Sequence, residues 1–194
     1  WCPVGSMADL RLVCSVCAIQ ELNDETTDLS NGYLQTPTET PSLMIDLAQE
    51  LQETMPDEWQ KLIKEAKEED IRMGGTGRCV FPALKNLYGE SYAGTSFVYQ
   101  YQRGFELAGW KRCRTSPALF YKRCSVSGKL QVLVSYVDDI AAAMSPVDPD
   151  NLWDTLRKQG WIFSEQGQLK RFVGINIHRI NSRQYHLEQR EYSE

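Results

Sequence analysis

The sequence predicts an α+β fold, and three observations carry that expectation. Residues 130–144, LQVLVSYVDDIAAAM, place two apolar runs on either side of Asp138 and Asp139, the pattern of a hairpin mostly buried on both faces. Residues 6–20, SMADLRLVCSVCAIQ, read as a largely buried helix behind an N-cap at Ser6, with Leu10, Leu12, Val13, Cys17 and Ile19 spread widely round the cylinder. A second long helix is expected from about Thr95 to Ala108.

The remaining elements follow in chain order. A polar break at Asn23-Asp24-Glu25 precedes a short strand, Thr26 to Leu29, on the strength of its β-branched pair. Ser30 to Gln35 reads as a tight turn or one helical turn, before a Pro/Thr loop over 36–41. Leu43, Ile45 and Leu47 alternate like a strand. Ala48 to Glu53 and Asp57 to Ile71 read as helices, the second amphipathic through Trp59, Leu62, Ile63 and Ala66, with Pro56 at its start. Gly74-Gly75-Thr76-Gly77 lacks the Gly-Lys-Ser/Thr continuation of a phosphate cradle and reads as a flexible hinge. Ser116 to Tyr121 is strand-like and joins the hairpin through a turn at 125–128. Residues 150–160 read as an amphipathic helix through Leu152, Trp153 and Leu156, closed by Gly160. Phe172 to His178 alternates like a strand.

Composition narrows the possible roles. At 194 residues, 42% hydrophobic and 24% charged, the chain suits one well-buried domain, with no apolar run near the length of a membrane span and no secretory signal pattern. Its first residue is Trp1, as in a piece of a larger precursor or of an incomplete reading frame. Six scattered cysteines fit a reducing, intracellular setting. Cys14 and Cys17 raise the idea of a zinc-binding module, but no second Cys-x-x-Cys follows and His178 and His186 lie far away, so two small core residues are the better reading. The net charge of -5 argues against a polyanion partner only mildly, because it is uneven. Acids crowd residues 46–70, whereas 103–129 carries Arg103, Lys111, Arg112, Arg114, Lys122, Arg123 and Lys129 against Glu106. A solvated face is the bland reading of both clusters.

Asp138 and Asp139 are the chemical signal. Asp is a common turn former, so a polar hairpin tip is the plain explanation. Here, however, the pair follows Tyr136-Val137 inside an apolar ladder. Desolvating neighbouring carboxylates is costly and they repel one another, so a cation is expected to hold them. Mg²⁺ suits the position, because it prefers oxygen and needs only one or two protein carboxylates.

Tyr136-Val137-Asp138-Asp139 resembles the Tyr-x-Asp-Asp motif of reverse transcriptases. Asp28-Leu-Ser-Asn-Gly-Tyr33-Leu-Gln resembles the first catalytic motif of the reverse transcriptases of copia-type LTR retrotransposons. LKNLYGESYAGTSFVYQYQRGFELAGW (84–110), SPALFYKR (116–123) and Phe172-Val173-Gly174-Ile175-Asn176-Ile177 resemble later segments of that family in the same order, and Tyr185 to Tyr192 resembles the start of its thumb. The chain departs from the family at Glu90-Ser91-Tyr92, where a Lys-Gln or similar is common.

The resemblance implies one reverse-transcriptase fragment over 1–194: a palm of antiparallel sheet backed by helices over about 21–180, partial fingers and the start of a thumb. It implies RNA-directed DNA polymerisation, with Asp28, Asp138 and Asp139 as catalytic residues and ligands of two Mg²⁺ ions, or of Mn²⁺. Tyr33 becomes a steric gate against the ribose 2′-hydroxyl. Leu29, Gly89, Ala93, Gly94 and Tyr136 become contacts to nucleotide or template, the glycines and alanine because backbone can approach closely there. Phe172, Val173 and Gly174 become a primer grip. The implied partners are an RNA template with a DNA primer, dNTP, and the RNase H and integrase of a parent polyprotein, in a cytoplasmic particle or the nucleus, with no membrane. Alone, such a fragment is expected to be nearly inactive. The alternative is a decayed or repurposed fragment that binds nucleic acid without polymerising.

Overall fold

The computed structural model describes residues 3–38 and 44–189. Leu43, the end of the 36–41 loop and Tyr192 therefore lie outside the described residues. Among those residues the chain is an α+β protein with five α-helices and antiparallel sheets.

The central sheet has six strands: β1 (Asn23–Leu29), β4 (Lys111–Arg112), β5 (Leu119–Arg123), β6 (Leu130–Tyr136), β7 (Asp139–Met144) and β8 (Phe163–Gln168). Their order is β4-β5-β6-β7-β1-β8, and every neighbouring pair is antiparallel. A smaller sheet is built from β9 (Arg171–Phe172), β10 (Ile175–Asn181) and β11 (Gln184–Glu188), and β2 (Met44–Asp46) pairs with β3 (Val80–Pro82). The helices are α1 (Met7–Gln20), α2 (Gln49–Thr54), α3 (Asp57–Arg72), α4 (Ala93–Leu107) and α5 (Leu152–Lys158).

The hairpin is apolar throughout because the sheet is covered twice. Val132, Val134, Ala141 and Ala143 face α1 and the small sheet, together with Leu10, Val13, Phe172 and Ile177. Leu133, Ile140, Ala142 and Met144 face α4 and α5, packing on Phe97, Tyr101, Phe105, Trp153 and Leu156. Each fully buried side chain of this size contributes roughly 1.5–3 kcal/mol of transfer free energy, so both layers anchor the hairpin. Polar pins close its far end: the Gln131 amide donates to Asp148 and its Oε1 accepts the Ser145 N–H at 2.8 Å.

Helix α1 starts as expected. Ser6 accepts from the Asp9 N–H and the Asp9 carboxylate accepts from the Ser6 N–H, a complete capping box. Its burial is narrower than the sequence suggests, for Leu12 and Ile19 lie exposed. The amphipathic face expected of α3 buries Ile63 but leaves Trp59 and Leu62 exposed.

Several boundaries differ from expectation. Asn23-Asp24-Glu25 is no break; it is the first half of β1, paired with Ala142, Ala143 and Met144. Asp24 can lie in a buried strand because Arg179 of β10 donates to its Oδ1 at 2.5 Å. The Gly74–Gly77 turn is drawn onto Asp70, whose Oδ2 accepts the Gly77 and Arg78 N–H groups, both at 2.9 Å. Strand β8 went unread, and the expected strand 172–178 is interrupted by a turn at Val173-Gly174. The described part of the segment Tyr185 to Tyr192 lies largely in β11. Among the described residues no helix is long and apolar enough to cross a membrane.

The Asp24–Arg179 pair ties the small sheet to the central one, with Arg179 also over the Tyr185 ring at 5.5 Å. Removing one partner strands a buried charge, so Arg179→Met is expected to lower the unfolding free energy at pH 7 by about 3 kcal/mol, read from urea denaturation.

Candidate carboxylate site

Asp28, Asp138 and Asp139 share the end of the ladder where β1 stops and β7 starts. The antiparallel register sets Asp28 directly opposite Asp139, and Asp138 precedes Asp139 in the hairpin turn. The Leu29 N–H donates to the Asp138 carbonyl at 3.1 Å, which locks the turn onto β1. Like charges directly opposite across a ladder repel, so this pairing is imposed by its surroundings. Thr27 opposite Ile140 and the buried Leu29 hold the strand in register.

Sequence order alone cannot show how Asp28 is aimed. The pairing of β1 with β8 shifts register between Thr27 and Leu29, where two steps along β1 match three along β8, so β8 bulges opposite Asp28 and carries Ser164 there. Such bulges re-aim a side chain. Ser164 of β8 completes the support: its Oγ donates to Asp28 Oδ2 at 2.9 Å and lies 3.2 Å from the Asp28 carbonyl oxygen. Ser164 was missed because no recognisable pattern marks β8; only its pairing with β1 brings it here.

The electrostatics reflect the crowding. Burial, then the charge of Asp28, raises the Asp138 pKa. Asp139 is raised to about 6, by burial first and then by Asp138 and Asp28, while a hydrogen bond from the Val173 N–H pulls the other way. Val173 lies in the turn between β9 and β10, so the small sheet reaches the carboxylates directly. Both turns that meet here are strained. Val137 has φ +54° and Val173 φ +48°, the left-handed region that β-branched residues avoid.

The other expected residues fall in two groups. Tyr136, Phe172 and Val173 line an apolar cavity of about 120 Å³ beside the carboxylate turn, against the start of α1. Gly174 shares the strained turn, at φ +75°. Tyr33 stacks on Tyr88 with ring centroids 4.5 Å apart and leans on Phe97 at 5.2 Å, in a 3-10 turn over Gly32–Gln35. Gly94 has a use here: a Cβ would lie 3.1 Å from the Tyr33 hydroxyl. Gly32 is required as well, since a Cβ would lie 2.5 Å from the Phe97 ring. Ala93 is buried at the start of α4, and Gly89 occupies a turn at φ +93°. The Leu29 side chain is buried in the core and its N–H is engaged by Asp138, so neither is presented outward.

Among the described residues no three His, Cys, Asp or Glu side chains form a ready-made metal cage. The donor chemistry nevertheless fits a hard dication. Asp28 and Asp139 are cross-strand partners with Asp138 next to Asp139 in the turn, and Asp138 and Asp139 are held above the usual carboxylate range by burial and by neighbouring carboxylates whose repulsion a cation would relieve. Cys14 and Cys17, by contrast, are buried in the core with pKa values pushed up to about 11 and about 12, away from the thiolate a zinc site requires. A scan against protein-family models finds no match for the chain, and a search of curated proteins finds none either.

A carboxylate whose folded pKa is raised stabilises the fold below its unfolded pKa and loses that contribution as pH rises through the folded value. Asp139 spans 3.8 to about 6. Without added divalent cation, Asp139→Asn is therefore expected to raise Tm at pH 7 by about 2 °C or more, with the gain shrinking below pH 6 and absent below pH 4, read by thermal melts across that range.

Proposed function

We propose that this chain is the palm-centred part of an RNA-directed DNA polymerase of the copia-type retrotransposon kind. The observation that carries the reading is the β1–β7 register, which sets Asp28 against Asp139 with Asp138 beside them, although 110 residues separate Asp28 from Asp138 in sequence. A six-stranded antiparallel sheet with α4 and α5 on one face, α1 and the small sheet on the other, and the Asp-Asp hairpin inside it supports that reading.

The reaction joins a primer 3′-oxygen to the α-phosphorus of a deoxynucleoside triphosphate and releases pyrophosphate. Asp28 and Asp138, with Asp139 in support, would hold Mg²⁺, which would supply neutralisation of the triphosphate charge and a lowered pKa for the attacking hydroxyl. The remaining work belongs to the chain. Ser164 holds the Asp28 carboxylate in one orientation through its 2.9 Å hydrogen bond. The turn at Val173-Gly174 that would press on the primer end lies against β7, whose first residue is Asp139. The rigid hairpin, covered on both faces, keeps Asp138 in place without reorganisation during the reaction. Tyr33, braced by Tyr88 and Phe97 and seated over Gly94, presents an immobile ring edge suited to excluding a 2′-hydroxyl.

Within a longer polypeptide that supplies fingers and thumb, Asp138→Asn is expected to cut Mg²⁺-dependent primer extension by about 100-fold or more while the melting temperature holds or rises. Unchanged extension would leave a nucleic-acid-binding fold without catalysis. In the same assay Tyr33→Ala is expected to raise ribonucleotide incorporation relative to deoxynucleotide; an unaltered ratio would remove Tyr33 as the gate.

A further inference from the structure

The six-stranded sheet has an open edge at its other end. Lys111, the first residue of β4, pairs with Tyr121 of β5, and Arg112 pairs with Phe120. Lys122 and Arg123 therefore run on beside no outer strand. Lys111, Tyr121 and Arg123 share one face by strand alternation, with Leu130 opposite Arg123. Helix α1 covers that face over β6, β7 and β1, leaving the Tyr121 ring 40% exposed.

These side chains border a groove of about 420 Å³, which Gly109 and the Lys122 stem close from the other side. The charge there is one-sided. Lys122 is matched by Asp150 at 3.3 Å, whereas the partner of Arg123 among the described residues is the neutral Gly128 carbonyl, at 3.1 Å. Lys129 stands close by, its Nζ on the Gln20 carbonyl at 2.6 Å. Lysines on a sheet edge also discourage strand-to-strand association. That role does not require an exposed aromatic ring between two cations on one face.

We propose that this edge binds single-stranded nucleic acid, with a base stacked on Tyr121 and the flanking phosphates held by Lys111 and Arg123. A tyrosine ring accepts any base on its π-face, and cations spaced along a groove track the backbone without reading sequence. The position makes the surface separate from the carboxylates. Leu130, opposite Arg123, lies six residues along β6 from Tyr136, about 20 Å at 3.3 Å per residue. The inference stands independently of the catalytic reading, since it requires neither divalent cation nor turnover.

The test is fluorescence anisotropy of a labelled oligothymidine strand with the 194-residue chain in EDTA, titrated at several salt concentrations. Tyr121→Ala is expected to weaken binding about five-fold or more, and Tyr121→Phe to preserve it. Joint Lys111→Ala and Arg123→Ala replacement is expected to flatten the slope of log K against log salt by about 1.4, at roughly 0.7 per phosphate lost on a single strand. Circular dichroism confirms that each variant is folded. Equal affinity in Tyr121→Ala, an unaltered salt slope, or preference for an acidic peptide over the oligonucleotide would overturn the proposal.

Discussion

The structure turns on a repulsion that the fold is made to tolerate. Asp28 and Asp139 are cross-strand partners, and Asp138 adds a third carboxyl at the same end. Direct opposition of like charges works against a ladder, so left to itself this strand pair would slip or open. It stays closed because β1 is paired on both edges, to β7 and β8, and because Thr27, Leu29 and Ile140 are buried immediately behind the charges. Part of the tension remains, visible in the raised pKa values of Asp138 and Asp139. A site held in that condition is predisposed to take up positive charge.

Two devices keep the arrangement rigid. The first is packing on both faces of the hairpin. The small residues Ala141, Ala142 and Ala143 let α1 and α4 approach closely, while Leu133 and Ile140 fill the space beneath. The second is the contact between two turns. Val137 and Val173 both accept positive φ, at +54° and +48°, and the Val173 N–H reaches Asp139. Strain of this kind persists only where the surroundings over-determine it. Here the surroundings are Phe172 and Ile175 in one core layer and Leu133 and Ile140 in the other. The small sheet is fastened by the same logic further along, through the buried Asp24–Arg179 pair.

Much of this was legible in the residues. Ser6 with Asp9 marks the start of α1, and the apolar runs around Asp138-Asp139 mark the hairpin, because caps and strand alternation are local physics. The failures share a cause. Asn23-Asp24-Glu25 looked like a break because its strand character depends on Arg179, 155 residues away from Asp24. β8 lacks a local pattern, and it exists as an edge partner of β1. Leu12 and Ile19 looked buried because helical periodicity marks apolar positions without saying how wide the covering surface is. That the Tyr33 hydroxyl sits where a Cβ of Gly94 would be, 3.1 Å away, is likewise a contact between distant parts of the chain.

The sequence by itself determined the α+β composition, the principal helices, the hairpin and the pair of acids at its tip. All of these follow from hydrophobic period and from residues that act on their immediate neighbours. Only the tertiary structure decided that Asp28 faces Asp139, that Ser164 holds the Asp28 carboxylate, and that Lys111, Tyr121 and Arg123 share one face of an open edge. The reason is that strand register and sheet order are non-local. They are chosen by which buried surfaces fit together, and no stretch of the chain carries that choice alone.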